Sequence, residues 1–256
     1  MKQHTDVLFQ KVVTHYEAQQ YPQFFELIDS ALLLAEQQDD LSTFVNLTLK
    51  KAAAYFQFSD YEIAIQALQD IEHIIDEQTS EARIRYMNLK AAVCGALNDL
   101  ETCYHYLCRA KELAEEQQSI EILMIIETNI SHYFFEKERY DEAFVHLERT
   151  FELCEQLDYE RDQLYLSGHA RYIRICVKQQ KFEEAAARIA YVESYPNVEK
   201  IQYYNYFVKA VVAYLCAMHE YEQAYARIQH EMTRFSKDEA TYQYYYEQLI
   251  EIAEYV

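Results

Sequence analysis

The stretch SHYFFEKERYDEAFVHLERTFEL, residues 131–153, passes from aromatic to charged and back to apolar residues around ERYDEA. On both sides apolar side chains recur at three- and four-residue spacing, which is the pattern of two amphipathic helices joined by a short turn. The stretch AAYFQFSDYEIAIQALQDIEHII, which begins at Ala53, has the same arrangement. The chain therefore repeats a pair of helices.

Six copies of this pair follow one another along the 256 residues. Each copy has an apolar or aromatic hinge residue at its turn, and successive hinges are 40, 39, 40, 42 and 39 positions apart. A period of roughly 20 to 50 residues is typical of solenoids, in which each hairpin buries its apolar face against the next. We name the first helix of each hairpin A and the second B. The hinge residues, each with the usually small residue three positions later, are Tyr21 with Phe24, Tyr61 with Ala64, Leu100 with Cys103, Tyr140 with Ala143, Phe182 with Ala185, and Tyr221 with Ala224.

Glycine and proline are almost absent, with two of each in the chain. Proteins built on β-strands need more of both in their turns, so the composition favours an all-α fold. We predict a right-handed α-solenoid of six hairpins plus a C-terminal capping helix. It forms a single domain over residues 1–256, which is either the whole protein or the N-terminal part of a larger one. The predicted A helices cover 4–18, 41–57, 80–97, 118–136, 160–179 and 198–218, and the capping helix runs from Lys237 to about Glu254.

The formal net charge is −20, from 43 acidic and 23 basic residues. Such a field repels phosphate backbones and anionic headgroups, so we expect neither nucleic-acid nor membrane binding. No run of 18 apolar residues occurs, and no apolar leader follows Met1. These features predict a cytoplasmic protein.

No catalytic or cofactor motif is present in the sequence. Glycine-rich phosphate loops, GxSxG and HExxH are all absent, so we expect no enzyme activity, no cofactor and no metal site. Asp70 with His73, and Glu142 with His146, lie one helical turn apart, and we interpret both pairs as surface contacts. The six cysteines contain no CxxC and lie in helical stretches, which predicts free thiols.

Two stretches, YFQFSDYEIAIQAL at 55–68 and FFEKERYDEAFVHL at 134–147, resemble tetratricopeptide repeats. That signature has an aromatic residue in helix A, a stretch like DYEEA at the hinge, and an apolar residue one turn later. The period departs from the common form, being about 40 residues where the usual repeat has about 34, and the tryptophan, helix-A glycine and terminal proline are missing. Longer repeats of this kind resemble those of bacterial peptide-pheromone-sensing regulators, and of sensory regions ahead of signalling enzymes such as diguanylate cyclases.

The resemblance implies a non-catalytic scaffold or sensor that binds a peptide or protein on its concave face. The alternative is a sensory or oligomerisation domain of a larger bacterial signalling protein, such as a diguanylate cyclase or a transcription regulator, which acts through its C-terminal helix.

In superhelices of this family the A helices line the concave face, and the repeat register projects an exposed stripe along them. The stripe lacks carboxylates on five successive A helices, which suggests a groove that attracts an acidic or C-terminal carboxylate group. A second interpretation also fits: small residues there allow tight winding, and the cations pair with neighbouring glutamates. The candidate partner-binding residues are Asn46, Arg85, Asn88, Thr128, His132, Arg174, Tyr206 and Lys209.

The tail TYQYYYEQLIEIAEYV, which begins at Thr241, is rich in tyrosine. Tyr242, Tyr245 and Leu249 fall on one helical stripe. This stripe is either ordinary packing, a homodimer surface, or a junction to a further domain.

Overall fold

The computed structural model describes residues 2–157, 163–201, 204–234, 240–253 and 255–256. Over these residues the chain forms thirteen α-helices and no strand, which confirms the predicted all-α fold of tetratricopeptide-like repeats. The predicted start of the capping helix at Lys237 lies outside the described residues. Short 3-10 turns cover Ile75–Glu77 and Val198–Lys200. The helices are α1 Lys2–Glu17, α2 Tyr21–Gln37, α3 Leu41–Gln57, α4 Tyr61–Ile71, α5 Ser80–Ala96, α6 Leu100–Glu116, α7 Ile120–Glu136, α8 Tyr140–Gln156, α9 Gln163–Lys178, α10 Phe182–Glu193, α11 Tyr204–Ala217, α12 Tyr221–Met232 and α13 Ala240–Ala253.

The chain divides into two compact units, Met1–Ile126 (unit 1) and Glu127–Val256 (unit 2). The A helices are the odd-numbered ones, and the B helices are the even-numbered ones. Among the described residues, none of the helices combines the length and the apolar character that a membrane crossing requires.

Most turns between consecutive helices share one backbone geometry that does not use glycine. A residue in the left-handed conformation ends the first helix, as Asn98 does with a φ of 63°. The next residue, Asp99, donates its N–H to the carbonyl of Cys94 five positions earlier, which is the hydrogen bond of a Schellman motif. The side chain of Asp99 then accepts the N–H of Thr102 and caps the following helix. The other left-handed residues in turns of this kind are Gln19, Asp39, Ser59, Gln118, Glu138, Gln180 and His219.

The core follows the repeat register. The small residues after the hinges are buried, as Ala64 and Ala224 show with no exposed surface, and this lets the two helices of a hairpin approach closely. Hinge aromatics lie against the end of the preceding A helix: the ring centres of Tyr140 and Phe135 are 5.8 Å apart. Four positions beyond the small residue comes an apolar residue that is buried in every copy, namely Ile28, Leu68, Leu107, Leu147, Ile189 and Ile228.

Both glycines lie inside helices rather than in turns. A Cβ atom on Gly168 of α9 would come within 3.0 Å of the Phe151 ring of α8, so this contact depends on the missing side chain. The six cysteines are free, as the sequence predicts, and four of them are buried.

Candidate functional site

Four basic side chains of unit 2, carried by three A helices, lie close enough for the charge of Arg174 to act on the other three, and we call them the cationic face. They are His132 on α7, Arg171 and Arg174 on α9, and Lys209 on α11. Arg171 donates to the backbone carbonyl of Thr128 on α7, which fixes the spacing of these two helices. Arg171 lies three positions before Arg174 and was not among the residues predicted from the sequence.

Aromatic rings support two of these cations. The guanidinium carbon of Arg174 lies 4.6 Å from the ring centre of Phe135. The Lys209 ammonium lies 3.7 Å from the ring centre of Tyr244 on α13 and 5.7 Å from that of Tyr206. Cation–π contacts of this kind hold a charged group in place without neutralising it. Tyr206 itself is half-exposed, at 50% of its surface.

The charge of Arg174 depresses the pKa of the other three basic side chains of this face. Burial, and then the charge of Arg174, lower the pKa of both Arg171 and Lys209. The pKa of His132 is lowered by burial and by Arg171 and Arg174. Half of the His132 side-chain surface is accessible to water. Like charges that repel one another favour the arrival of an anion.

Carboxylates are scarce around these cations. Within the described part of the chain, Arg171, Arg174 and Lys209 have no carboxylate at ion-pair distance. One carboxylate does act on them: Oε1 of Glu136 lies 3.5 Å from Nδ1 of His132, and the charge of Glu136 raises the pKa of Arg171. In a chain of net charge −20, these three cations lie near one another without such a partner.

The predicted residues of unit 1 behave differently. Arg85 is exposed and forms an ion pair with Glu81 at 2.6 Å, one helical turn away. Asn46 donates to the backbone carbonyl of Ser42, and Asn88 is half-buried. For Arg85 the second interpretation, pairing with a neighbouring glutamate, therefore describes the structure.

Two predicted residues are not accessible surface residues. The prediction that Thr128 is exposed is wrong: it is 5% exposed, and its hydroxyl lies 3.3 Å from that of Thr150. Tyr245 is also buried, and its hydroxyl donates to the carbonyl of Asn205. Its tail neighbours Tyr242 and Leu249 are half-buried.

The spacing of acidic residues in the sequence distinguishes Arg85, which forms an ion pair, from Arg174 and Lys209, which do not. Glu81 stands four positions before Arg85, the spacing at which ion pairs form on a helix. Arg174 and Lys209 have no acidic residue three or four positions away on either side. The burial of Thr128 has no such signal, because α7 is apolar around most of its circumference.

Two further polar clusters, one in each unit, consist of side chains that contact one another. In unit 1 the ammonium of Lys90 lies 3.3 Å from Glu72 and 3.2 Å from the hydroxyl of Tyr86, and Tyr106 donates to Glu72. In unit 2, His146 contacts the buried Glu127 at 2.6 Å. The residue Glu142, predicted to lie near His146, instead pairs with Arg139.

No protein-family model matches the chain, and no curated protein matches it in sequence. Solved structures do match. The structure of a Rap protein complexed with Competence and Sporulation Factor has a TM-score of 0.68 at 14% identity, covering 96% of this chain and 74% of that one. NprR in complex with its cognate peptide NprX has a TM-score of 0.59 at 10% identity, covering 99% and 73%. Aspartyl phosphate phosphatase F from Bacillus subtilis has a TM-score of 0.68 at 16% identity, covering 97% and 67%. At these identities the likeness shows a common fold.

Proposed function

We propose that this tetratricopeptide-like repeat protein is a non-catalytic scaffold or sensor that binds an extended acidic peptide, or a peptide's C-terminal carboxylate, on its cationic face. The observation that carries the proposal is the set of three cations, Arg171, Arg174 and Lys209, that lack a carboxylate at ion-pair distance among the described residues. A guanidinium binds a carboxylate through two parallel hydrogen bonds, which gives both affinity and orientation.

The aromatic rings of this face suit a peptide better than a free anion. Tyr206 and Tyr244 contact Lys209 and offer apolar surface to side chains that flank a carboxylate, whereas Phe135, which supports Arg174, is itself buried. The structure of NprR with its cognate peptide shows that a protein of this fold accommodates a peptide.

The number of helices on the face sets the length of the ligand. Packed helices lie roughly 10 Å apart, so α7, α9 and α11 span about 20 Å from first to last. An extended chain advances about 3.3 Å per residue, so about six residues of peptide cross the three helices. A longer ligand would gain contacts only beyond this face.

A selection from random ten-residue peptides displayed with free C-termini tests the proposal on the full chain. We expect the selected peptides to be acidic or to require a free carboxylate, and amidation or an Asp-to-Asn change to weaken their binding. Selection of basic or neutral peptides whose affinity ignores both changes would contradict it.

A further inference from the structure

An apolar face of α13 is exposed at the end of unit 2. Tyr246 and Ile250 have 50% and 55% of their surfaces accessible. With Leu249 on the same helix, and with Tyr225 and Met232 of α12, they line an open groove of about 470 Å³. None of the residues that line this groove belongs to the cationic face.

The equivalent positions of the preceding A helix are covered. Tyr246 and Ile250 each lie 39 residues after a residue of α11, namely Phe207 and Val211, and the last two hinges are also 39 residues apart. Phe207 and Val211 are 0% and 5% exposed, because they belong to one core cluster with residues of their own B helix, α12. Within the described residues, α13 is therefore an A helix without a B helix.

We propose that this face accepts an amphipathic helix of a partner protein, which docks as the B helix of a seventh hairpin. The six B helices of the chain define what fits: a hinge aromatic or apolar residue, a small residue three positions later, and an apolar residue four positions beyond. Docking of such a helix in an apolar groove is a common mode of peptide recognition.

The charge around the groove selects a basic partner. The lining residues that the structure describes are uncharged, while Glu222 of α12 and Glu247 of α13 are exposed on the same helices. Helical spacing places Glu222 one turn before Tyr225, and places Glu247 about 60° around the helix from Ile250, beside the groove. A second copy of the chain carries the same net charge of −20 and is repelled.

A synthetic helix tests this proposal with the full chain. The probe is the segment 219–234, which contains α12, labelled with a fluorophore and carrying Glu220→Lys and Glu222→Lys to make it basic. Fluorescence anisotropy should show saturable binding to the unmodified chain and about tenfold weaker binding to an Ile250→Glu variant. The matched control is Val145→Glu on α8, where the side chain is 63% exposed; it should leave the affinity within about twofold.

Three results would overturn the proposal: equal binding to the Ile250→Glu variant, equal binding of a scrambled probe of the same composition, or the absence of saturable binding. Sedimentation that finds twice the monomer mass for the unmodified chain and the monomer mass for Ile250→Glu would also overturn it, because a second copy then covers the face. An Arg174→Glu variant should bind the probe normally, so a failure here is separate from a failure of the peptide-binding proposal.

Discussion

The ammonium group of Lys209 on α11 lies 3.7 Å from the centre of the Tyr244 ring on α13. This contact holds the lysine against the face of an aromatic ring, whereas Arg85 on α5 is held by the carboxylate of Glu81. The ring stabilises the ammonium position and leaves its charge available. The Lys209 ammonium is thus positioned without a ligand, which would lower the entropy cost of the peptide binding that we propose.

Reversing the charge of Arg174 should weaken the binding of an acidic peptide by about tenfold or more, since a charge-assisted contact becomes a repulsion. The matched control is Arg85→Glu, because Arg85 is already paired with Glu81; its effect should stay within about threefold. Titration of a labelled selected peptide, at low and at high salt, measures both. Equal losses in the two variants would mean that net charge, rather than the cationic face, determines affinity.

Removing Arg174 should raise the pKa of Lys209. Burial and then Arg174 hold this pKa below the ordinary value of 10.5, so an Arg174→Ala variant moves it upward but not fully, because burial remains. NMR titration of ¹³C-methylated lysines measures the shift. The Arg85→Ala variant serves as the control, and an unchanged Lys209 titration in Arg174→Ala would refute the coupling.

Acidification should destabilise the native state through His169. This ring is fully buried, stacks on Phe151, and accepts a hydrogen bond from Arg188, so it is neutral. Burial, with the charge of Arg188, lowers its pKa from 6.5 to about 3. Below pH 6.5 the unfolded chain therefore binds a proton that the native chain does not, and His169 contributes a loss of up to about 1.4 kcal/mol per pH unit.

Urea unfolding at pH 7 and pH 5 measures this loss. A His169→Phe variant should lose less stability between the two pH values than the unmodified chain does. A His73→Gln variant, changed at an exposed position, should keep the full loss. If all three proteins lose the same stability between pH 7 and pH 5, groups other than His169 cause the loss.

Tyr106→Phe should make unit 1 less sensitive to strong acid. Burial pushes the pKa of Glu72 upward, but hydrogen bonds from Tyr106 and Lys90 outweigh it and lower the pKa below 4.5. Stability from a lowered carboxyl pKa is present above the ordinary value and is lost as the pH falls through the lowered one. The variant removes one of these bonds, so its urea midpoint should fall less between pH 5 and pH 3. A steeper fall in the variant than in the unmodified chain would contradict the direction that we assign to the pKa shift of Glu72.

Gln118→Gly should stabilise the chain by about 0.5–1 kcal/mol, because glycine adopts the left-handed conformation without the steric cost of a Cβ atom. Gln118 has a φ of 53° in the turn after α6. The control is Asn98→Gly in the turn before α6, where asparagine already tolerates a φ of 63°, so the gain should be smaller. Urea midpoints compare the two, and a destabilised Gln118→Gly variant would disprove the argument.

The hairpin register could be predicted from the sequence because it depends on local periodicity. Hinge residues such as Tyr140 and small residues such as Ala143 report which face of each helix is buried, and the structure places both as expected. The cationic face depends on neighbours far apart in sequence. The link between Lys209 and Tyr244 joins helices α11 and α13, and nothing in either stretch alone indicates it. The sequence likewise could not decide whether Tyr245 packs in the core or lies at an interface, because α13 is apolar on more than one side.

The shared turn geometry makes each hairpin an exchangeable module. Its left-handed residue, its Schellman hydrogen bond and its capping position are backbone features, so they survive when the side chains around them change. If the chain is cut at one left-handed residue and joined at the equivalent residue of the next repeat, one whole hairpin is removed or added. The turn at the new junction then has the same backbone geometry. Copy number in such a chain can therefore change by duplication or deletion, without a new turn having to arise each time.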